Sequence, residues 1–278
     1  MQPTFLSLPS GVTLATYEAG DPAGTPVIFV HGNSLAASIF IRQFEAPELQ
    51  HLRLLALDLP GCGASPWAPA HYYPRQLQAV LCEATRALSA AAPVLVGHSY
   101  GGHLALDAMP QLPGLRGVLA VGTPPVKVPD SLSAAFAFDE RGLLFYQQEV
   151  SETDLTIMCT HCLGPQATAG ARAVVSAALH QADGRFRAAL GAALAAGGEI
   201  PDELAIIRDT PVLLAFAAGE ADQLLHFNYF DTLAAPSRWG VPLHLVPAAG
   251  HTPFLENSAA FNDLLLRFVA ATPPRSAL

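Results

Sequence analysis

The arrangement of short apolar runs along the chain constrains the fold more than any other feature of the sequence. Continuous apolar runs are typical of parallel strands that are covered on both faces. Segments with helical spacing separate most of these runs, which predicts a parallel sheet with right-handed crossovers. The predicted strands span residues 26–30, 53–57, 93–96, 115–121, 211–217 and 241–246.

Two further patterns complete the predicted fold. Short alternating segments at 4–8 and 12–18, joined by Pro9-Ser10-Gly11, predict a hairpin at the start of the chain. The sequence therefore predicts an α/β fold with a mostly parallel central sheet that is flanked by helices. The predicted helices span residues 36–49, 74–90, 101–112, 225–233 and 258–270.

One interval interrupts the alternation of strands and helices. Residues 123–207 begin with prolines, contain no convincing strand and include alanine-rich stretches with helical spacing at 167–181 and 186–196. An interval of this length is too long for a plain loop. We interpret it as a helical lid, here called the inserted segment, that is inserted into a core domain formed by residues 1–122 and 208–278. Helices packed on the edge of the sheet are the alternative.

Composition excludes several classes of protein. Hydrophobic residues make up 51% of the 278 residues and charged residues 13%, so the chain can bury a large core. The formal net charge of −9 argues against nucleic acid and anionic membranes as partners. No apolar stretch reaches the roughly 18 residues that a membrane helix needs, and the start has no signal-peptide pattern. We therefore expect a cytoplasmic protein.

The cysteines do not indicate a disulfide framework or a metal site. They lie at positions 62, 82, 159 and 162. The stretch Cys159-Thr160-His161-Cys162 resembles half of a zinc site, but no second pair of cysteines or histidines completes it. We expect buried thiols and no bound metal.

The stretch PVLVGHSYGG at 93–102 carries the clearest chemical signal. Gly97-His98-Ser99-Tyr100-Gly101 fits the pattern G-x-S-x-G, in which a serine sits on a strained turn between a strand and a helix. Glycines flank such a turn because neighbouring backbone passes too close for a Cβ atom. An ordinary turn with a surface serine would give the same five letters. The surrounding strand, helix and candidate partner residues must therefore distinguish a nucleophile from a surface serine.

Candidate partners for Ser99 follow two later strands. Asp222 follows the strand at 211–217, and His251 follows the strand at 241–246, so both would reach the carboxyl edge of the sheet. His251 could take the proton of the serine hydroxyl, and Asp222 could orient the imidazole and stabilise its positive charge. Glu220 is close enough in sequence to replace Asp222. Asp107, on the helix after Ser99, is expected to face away.

Attack on a carbonyl also requires hydrogen-bond donors for the developing negative charge. The backbone N–H of Tyr100 directly follows the proposed nucleophile. The loop His31-Gly32-Asn33-Ser34 follows the strand at 26–30 and could supply the second donor. We expect the N–H of Asn33 in that role, with its side chain also available to the substrate.

Together these stretches resemble the α/β-hydrolase fold family over nearly the whole chain. The resemblance rests on HGN at 31–33, DLPGCGAS at 58–65, GHSYGG at 97–102, Asp222 and Gly250-His251. Within that fold the sequence is most similar to metal-independent N-acyl homoserine lactonases, through HGNS at 31–34, VGTPPV at 121–126, ADGR at 182–185 and AGHTPF at 249–254.

The resemblance implies a serine hydrolase that needs no cofactor and opens a lactone ring through an acyl-enzyme, with Asn33 and Tyr100 at the oxyanion site. Those lactonases carry a lid tyrosine where this chain has Ile157, and Tyr146 or Tyr229 could replace it. An apolar lid would suit an acyl chain. Its candidate lining residues, of which we expect only a few to touch a ligand, are Phe136, Phe138, Leu143, Leu144, Phe145, Ile157 and Met158.

Other functions fit the same motifs. A general carboxylesterase would act on small linear acyl esters, and a hydrolase of carbon–carbon bonds in diketones could use the same three residues. A receptor-like module on this fold would bind a small molecule without turnover. We expect lactone opening in preference to these functions, and a small acyl ester or lactone as the binding partner.

Overall fold

The strands form a single mostly parallel sheet, as predicted. The computed structural model describes residues 1–89, 92–137, 139–197 and 200–273. Within these residues the sheet has the order β1-β2-β4-β3-β5-β6-β7-β8. The pairs β1–β2 and β2–β4 are antiparallel, and every later pair is parallel. The strands are β1 Thr4–Ser7, β2 Thr13–Gly20, β3 Pro26–Val30, β4 Arg53–Leu57, β5 Val94–His98, β6 Gly117–Val121, β7 Leu213–Gly219 and β8 His244–Val246.

Helices cover both faces of the sheet. They are α1 Ile41–Phe44, α2 Pro74–Leu88, α3 Tyr100–Ala108, α4 Leu132–Ala135, α5 Glu152–His161, α6 Ala169–Gln181, α7 Gly184–Ala196, α8 Glu203–Asp209, α9 Pro253–Glu256 and α10 Ser258–Ala271. The predicted helix at 74–90 corresponds to α2, and its last residue, Ala90, lies outside the described residues.

The central strands are apolar on every residue because both of their faces are buried. In β3, Ile28 and Val30 belong to one core cluster, whereas Val27 and Phe29 belong to the cluster on the opposite face. Successive side chains of a strand point to opposite faces, so a strand between two helical layers needs an unbroken apolar run. All five residues of β3 are buried. This physical requirement explains why the apolar runs predicted the strands.

Two predicted helices are wrong in detail. The predicted helix at 36–49 is broken into a 3-10 turn at Ala37–Phe40, the short helix α1, and a second 3-10 turn at Pro47–Leu49. Pro47 has no N–H to continue an α-helix, and it begins the second turn. The predicted helix at 225–233 is only a 3-10 stretch at Phe227–Thr232.

The inserted segment leaves the sheet after β6, and the chain returns at β7. Its described residues include α4, α5, α6 and α7, and α8 reaches past its predicted end to Asp209. The loops after β3, β5, β6, β7 and β8 all leave the same edge of the sheet because these strands are parallel. The candidate site lies at this edge.

Candidate active site

Ser99 occupies a strained turn between β5 and α3. Its backbone has φ 51° and ψ −121°, a conformation that residues other than glycine rarely adopt. The turn is fixed because the N–H of Ser99 donates to Val121 O at 2.8 Å and the hydroxyl of Thr123 donates to Ser99 O at 2.9 Å. Ser99 is only partly buried, so its side chain reaches the space above the sheet.

The surrounding glycines are required by close backbone contacts. A Cβ atom at Gly97 would lie 2.5 Å from Gly101 O, and one at Gly101 would collide with the backbone oxygen of Val30. A Cβ atom at Gly102 would collide with the side chain of Thr123. The glycines therefore let the turn and the first turn of α3 pack directly on the neighbouring strands.

His251 and Asp222 form a buried pair. Their Nδ1 and Oδ2 atoms are 2.7 Å apart, and the exposed fractions of the two side chains are 4% and 0%. The other carboxylate oxygen of Asp222 accepts a hydrogen bond from the N–H of Leu224 at 2.9 Å. Glu220, the alternative acid, is exposed. A carboxylate on Nδ1 leaves Nε2 of the imidazole free to act as a base.

Neighbouring groups fix the position of His251. The imidazole of His98 donates through Nε2 to the backbone oxygen of His251 at 2.9 Å. Burial lowers the pKa of His98 well below its usual value, so this ring is neutral. Gly122, with φ 63°, leaves room for the imidazole, because a Cβ atom there would lie 2.7 Å from Cε1 of His251. No sequence motif indicates either contact.

Glu256 is a second residue that sequence reasoning missed. Its carboxylate accepts hydrogen bonds from the N–H groups of Gly250, at 3.1 Å, and Gly164, at 2.7 Å. It also bonds the hydroxyl of Thr252 at 3.0 Å. The residue thus joins the loop that carries His251 to the inserted segment. It lies on the short helix α9, five residues after His251.

Ser99 and His251 line the same cavity. Among the described residues, the hydrogen bonds do not include one between Ser99 Oγ and His251 Nε2. Such contacts are often long before a substrate binds and shorten in the complex. Rotation of the small serine side chain changes the separation of the two atoms without moving the backbone.

Two backbone N–H groups are available beside Ser99. Neither the N–H of Tyr100 nor that of Asn33 has a hydrogen-bond acceptor within the described part of the chain. The side chain of Asn33 is occupied, since its Nδ2 donates to Phe145 O at 2.7 Å and its Oδ1 accepts from the hydroxyl of Ser34 at 2.9 Å. The amide thus ties the loop after β3 to the inserted segment, and its backbone N–H remains the candidate donor.

Hydrogen bonds to the residues that follow β4 also fix the loop after β3. Nε2 of His31 accepts from the N–H of Leu59 at 2.9 Å, and its Nδ1 donates to Gly32 O at 2.8 Å. Asp58 accepts from the N–H of Ala37 at 2.7 Å. These bonds fix the loop relative to β4 and thereby orient the N–H of Asn33.

The cavity is mostly apolar and has a volume of about 140 Å³. A cavity needs a volume on the order of 10–15 Å³ to hold one water molecule, so this cavity admits a chain of several carbon atoms. More than half of its lining residues come from the inserted segment. Phe136 and Phe145 line it as proposed, whereas Leu143, Leu144, Ile157 and Met158 do not, and Phe138 lies outside the described residues.

Of the two candidate tyrosines, Tyr146 lines the cavity and Tyr229 does not. The hydroxyl of Tyr229 donates to Pro125 O at 2.7 Å, which is a structural contact. Ile157 is half-buried on α5, away from the cavity.

The prediction that Asp107 faces away from the site is wrong. Asp107 lines the same cavity as Ser99 and is 4% exposed. It follows Tyr100 by seven residues, which is two helical turns, so the two side chains share a face of α3. Residues of the inserted segment, among them Leu132 and Leu190, line the same cavity.

The described residues contain no group of three or more histidine, cysteine or acidic side chains that could hold a metal ion. All four cysteines are buried and free. Among the helices of the described ranges, none combines the length and the apolar character needed to cross a membrane.

Comparisons with known proteins identify relatives of the chain and of its fold. The chain is 27% identical over 266 residues to the pimeloyl-acyl-carrier-protein methyl ester esterase of Xylella fastidiosa (strain M12), covering 90% of this chain and 97% of that protein. Its structure is similar to a mutant of the N-acyl homoserine lactonase AidH complexed with N-hexanoyl homoserine lactone. That match has a TM-score of 0.88 and 26% identity over 97% of each chain.

An esterase from Exiguobacterium antarcticum matches with a TM-score of 0.82 over 97% of this chain and all of that chain, and at 18% identity this likeness shows the fold alone. Residues 27–264 match the alpha/beta hydrolase family, which confirms the predicted resemblance. The chain belongs to the alpha/beta hydrolase family.

Proposed function

We propose that the protein is a serine hydrolase that opens the ring of N-acyl homoserine lactones. Ser99 is the nucleophile, His251 the general base and Asp222 the residue that orients the imidazole. The observation that carries the proposal is the buried His251–Asp222 pair, joined at 2.7 Å, together with Ser99, which has φ 51° and lines the same cavity as His251. A strained serine beside a histidine–carboxylate pair is the arrangement that acyl transfer requires.

The proposed reaction has two halves. Nε2 of His251 takes the proton of the Ser99 hydroxyl as the oxygen attacks the lactone carbonyl carbon. The N–H groups of Tyr100 and Asn33 donate to the oxyanion. Breakdown of the tetrahedral intermediate cleaves the ring C–O bond, and His251 gives its proton to the departing alkoxide. A water molecule activated by His251 then hydrolyses the ester to Ser99 and releases the free carboxylate.

The shape of the cavity supports an acyl substrate. In this proposal residues 123–207 form a lid, and its apolar side chains, including Phe136 and Phe145, cover the acyl chain. The side-chain amide of Asn33 holds the lid through Phe145 O. The structural likeness to AidH, at 26% identity over 97% of each chain, favours a lactone as the substrate.

A linear acyl ester is the second candidate substrate. The match to a methyl ester esterase, at 27% identity over 90% of this chain, favours a linear ester. The same residues would attack a methyl or aryl ester, with the alcohol leaving the site in place of the tethered alkoxide.

A substrate panel tests the proposal and separates the two candidates. N-hexanoyl homoserine lactone, methyl hexanoate and p-nitrophenyl hexanoate are compared by mass spectrometry and pH-stat titration. We expect the lactone to gain one water without fragmentation and to give a higher kcat/KM than methyl hexanoate, whose leaving group is also an alkoxide. The p-nitrophenyl ester has an activated leaving group and reports only general esterase activity. A higher kcat/KM for methyl hexanoate than for the lactone would reject the lactonase assignment. Ser99→Ala should lose turnover of all three substrates, whereas Ser10→Ala, an exposed serine, should not.

A further inference from the structure

The wall of the cavity beyond the proposed nucleophile carries a second set of polar side chains. His103 and Asp107 follow Ser99 by four and eight residues, and both line the cavity. They are one helical turn apart on α3, so their side chains lie on the same face, about 5–6 Å apart at Cβ. The mechanism proposed above uses neither of them.

His103 is paired with a buried carboxylate. Its Nδ1 is 2.8 Å from Oε1 of Glu203, a cavity residue on α8 that is fully buried. The other oxygen of Glu203 accepts from the N–H of Val126 at 2.7 Å. Because a carboxylate only accepts hydrogen bonds, Nδ1 of His103 carries the hydrogen. Nε2 of the ring has no partner among the described residues, and the residue lines the cavity, so this nitrogen is available to a ligand.

Asp107 supplies a complementary group. Its side chain is buried, and Oδ1 has no hydrogen-bond partner. Burial and the charge of Glu203 raise the pKa of Asp107 well above its usual value, which favours the protonated carboxyl group, a hydrogen-bond donor, over the carboxylate. A buried polar atom without a partner is destabilising, and such atoms are often found at functional sites.

We infer that His103 and Asp107 form a polar subsite for a hydroxyl group on the acyl chain of the substrate. A hydroxyl is both a donor and an acceptor, so it matches the free nitrogen of His103 and the carboxyl of Asp107 together. This inference rests on the proposed function and narrows its substrate class.

The spacing along α3 locates the hydroxyl. At a rise of 1.5 Å per residue, His103 and Asp107 lie about 6 Å and 12 Å along the helix from Ser99. A hydroxyl carbon about five bonds from the attacked carbonyl carbon reaches the space beside His103. In an N-acyl homoserine lactone the third carbon of the acyl chain is five bonds from the lactone carbonyl carbon. The preferred substrates are therefore 3-hydroxyacyl homoserine lactones.

Two matched substrates test the subsite. The kcat/KM values for N-(3-hydroxyhexanoyl) and N-hexanoyl homoserine lactone are measured with the wild type, Asp107→Leu and Asp107→Asn. We expect the wild type to prefer the hydroxylated substrate by about tenfold, the contribution of one hydrogen bond to a buried group. Asp107→Leu should lose the preference, and Asp107→Asn, which keeps a donor, should retain part of it.

Thr85→Val is a matched control that distinguishes loss of the subsite from a general change in stability. Thr85 is also buried with an unpaired side-chain oxygen, but it does not line the cavity. Thr85→Val should therefore leave the preference unchanged. Equal kcat/KM values for the two lactones in the wild type, or a preference that survives in Asp107→Leu, would overturn the subsite and leave the lactonase proposal in place. Failure to open either lactone would reject both.

Discussion

Replacement of Ser99 by glycine should stabilise the protein while it abolishes turnover. The φ of 51° and ψ of −121° at Ser99 cost a residue with a Cβ atom about 1–3 kcal/mol, and glycine adopts this region freely. Glycine also gives the unfolded chain more freedom, which costs about 0.4–1 kcal/mol. The expected net gain in the free energy of unfolding is about 1 kcal/mol, equivalent to a rise of about 2–4 °C in Tm.

Ser99→Ala is the matched control because alanine keeps the Cβ atom and the strain. It should also lose turnover, but its Tm should stay close to that of the wild type. Calorimetry or circular dichroism measures Tm, and urea titration measures the free energy of unfolding. Equal Tm values for Ser99→Gly and Ser99→Ala would show that the turn stores no strain and would refute this reasoning.

Three further predictions follow from the same contacts. Asp222→Asn should lower kcat on a p-nitrophenyl ester by about 10²–10⁴-fold because the imidazole loses its carboxylate; Glu220→Gln, at an exposed position, should change it less than twofold. Gly101→Ala should prevent folding or lower the free energy of unfolding by roughly 3 kcal/mol or more, which lowers Tm by about 6–12 °C or more, since its Cβ would collide with Val30 O; a normal Tm would contradict this. The raised pKa of Asp107 means that the folded wild type binds more protons than the unfolded chain, so its stability falls as pH rises above about 4. The free energy of unfolding of Asp107→Leu minus that of the wild type should therefore increase as pH rises above about 4, and a difference that is independent of pH would contradict the raised pKa.

The parts of the fold that sequence could predict are those that local chemistry determines. The unbroken apolar run at 26–30 had to be buried on both faces, and it is β3. Gly97 and Gly101 indicated a turn too crowded for a Cβ atom, and the structure shows both close contacts. Chain order at strand ends was enough to suggest Asp222 and His251, because parallel strands bring their carboxyl ends to one edge.

What could not be predicted depends on how the inserted segment lies on the sheet. The sequence does not show which face of α3 the inserted segment covers. The position of Asp107 in the cavity could therefore not be predicted. Glu203 is 100 residues from His103, and no local pattern joins them. The contact of Asn33 with Phe145 O likewise depends on the path of a long insertion. Such contacts between distant residues require the folded chain.

Covalent labelling of the nucleophile tests the central claim most directly. A fluorophosphonate is added to the wild type, His251→Ala and Ser10→Ala, and the labelled residue is identified by peptide mass spectrometry. The proposed chemistry predicts one label per chain on Ser99 in the wild type and in Ser10→Ala, loss of turnover in proportion to labelling, and little label in His251→Ala. A label on any other residue, or turnover that persists after Ser99 is fully labelled, would contradict it.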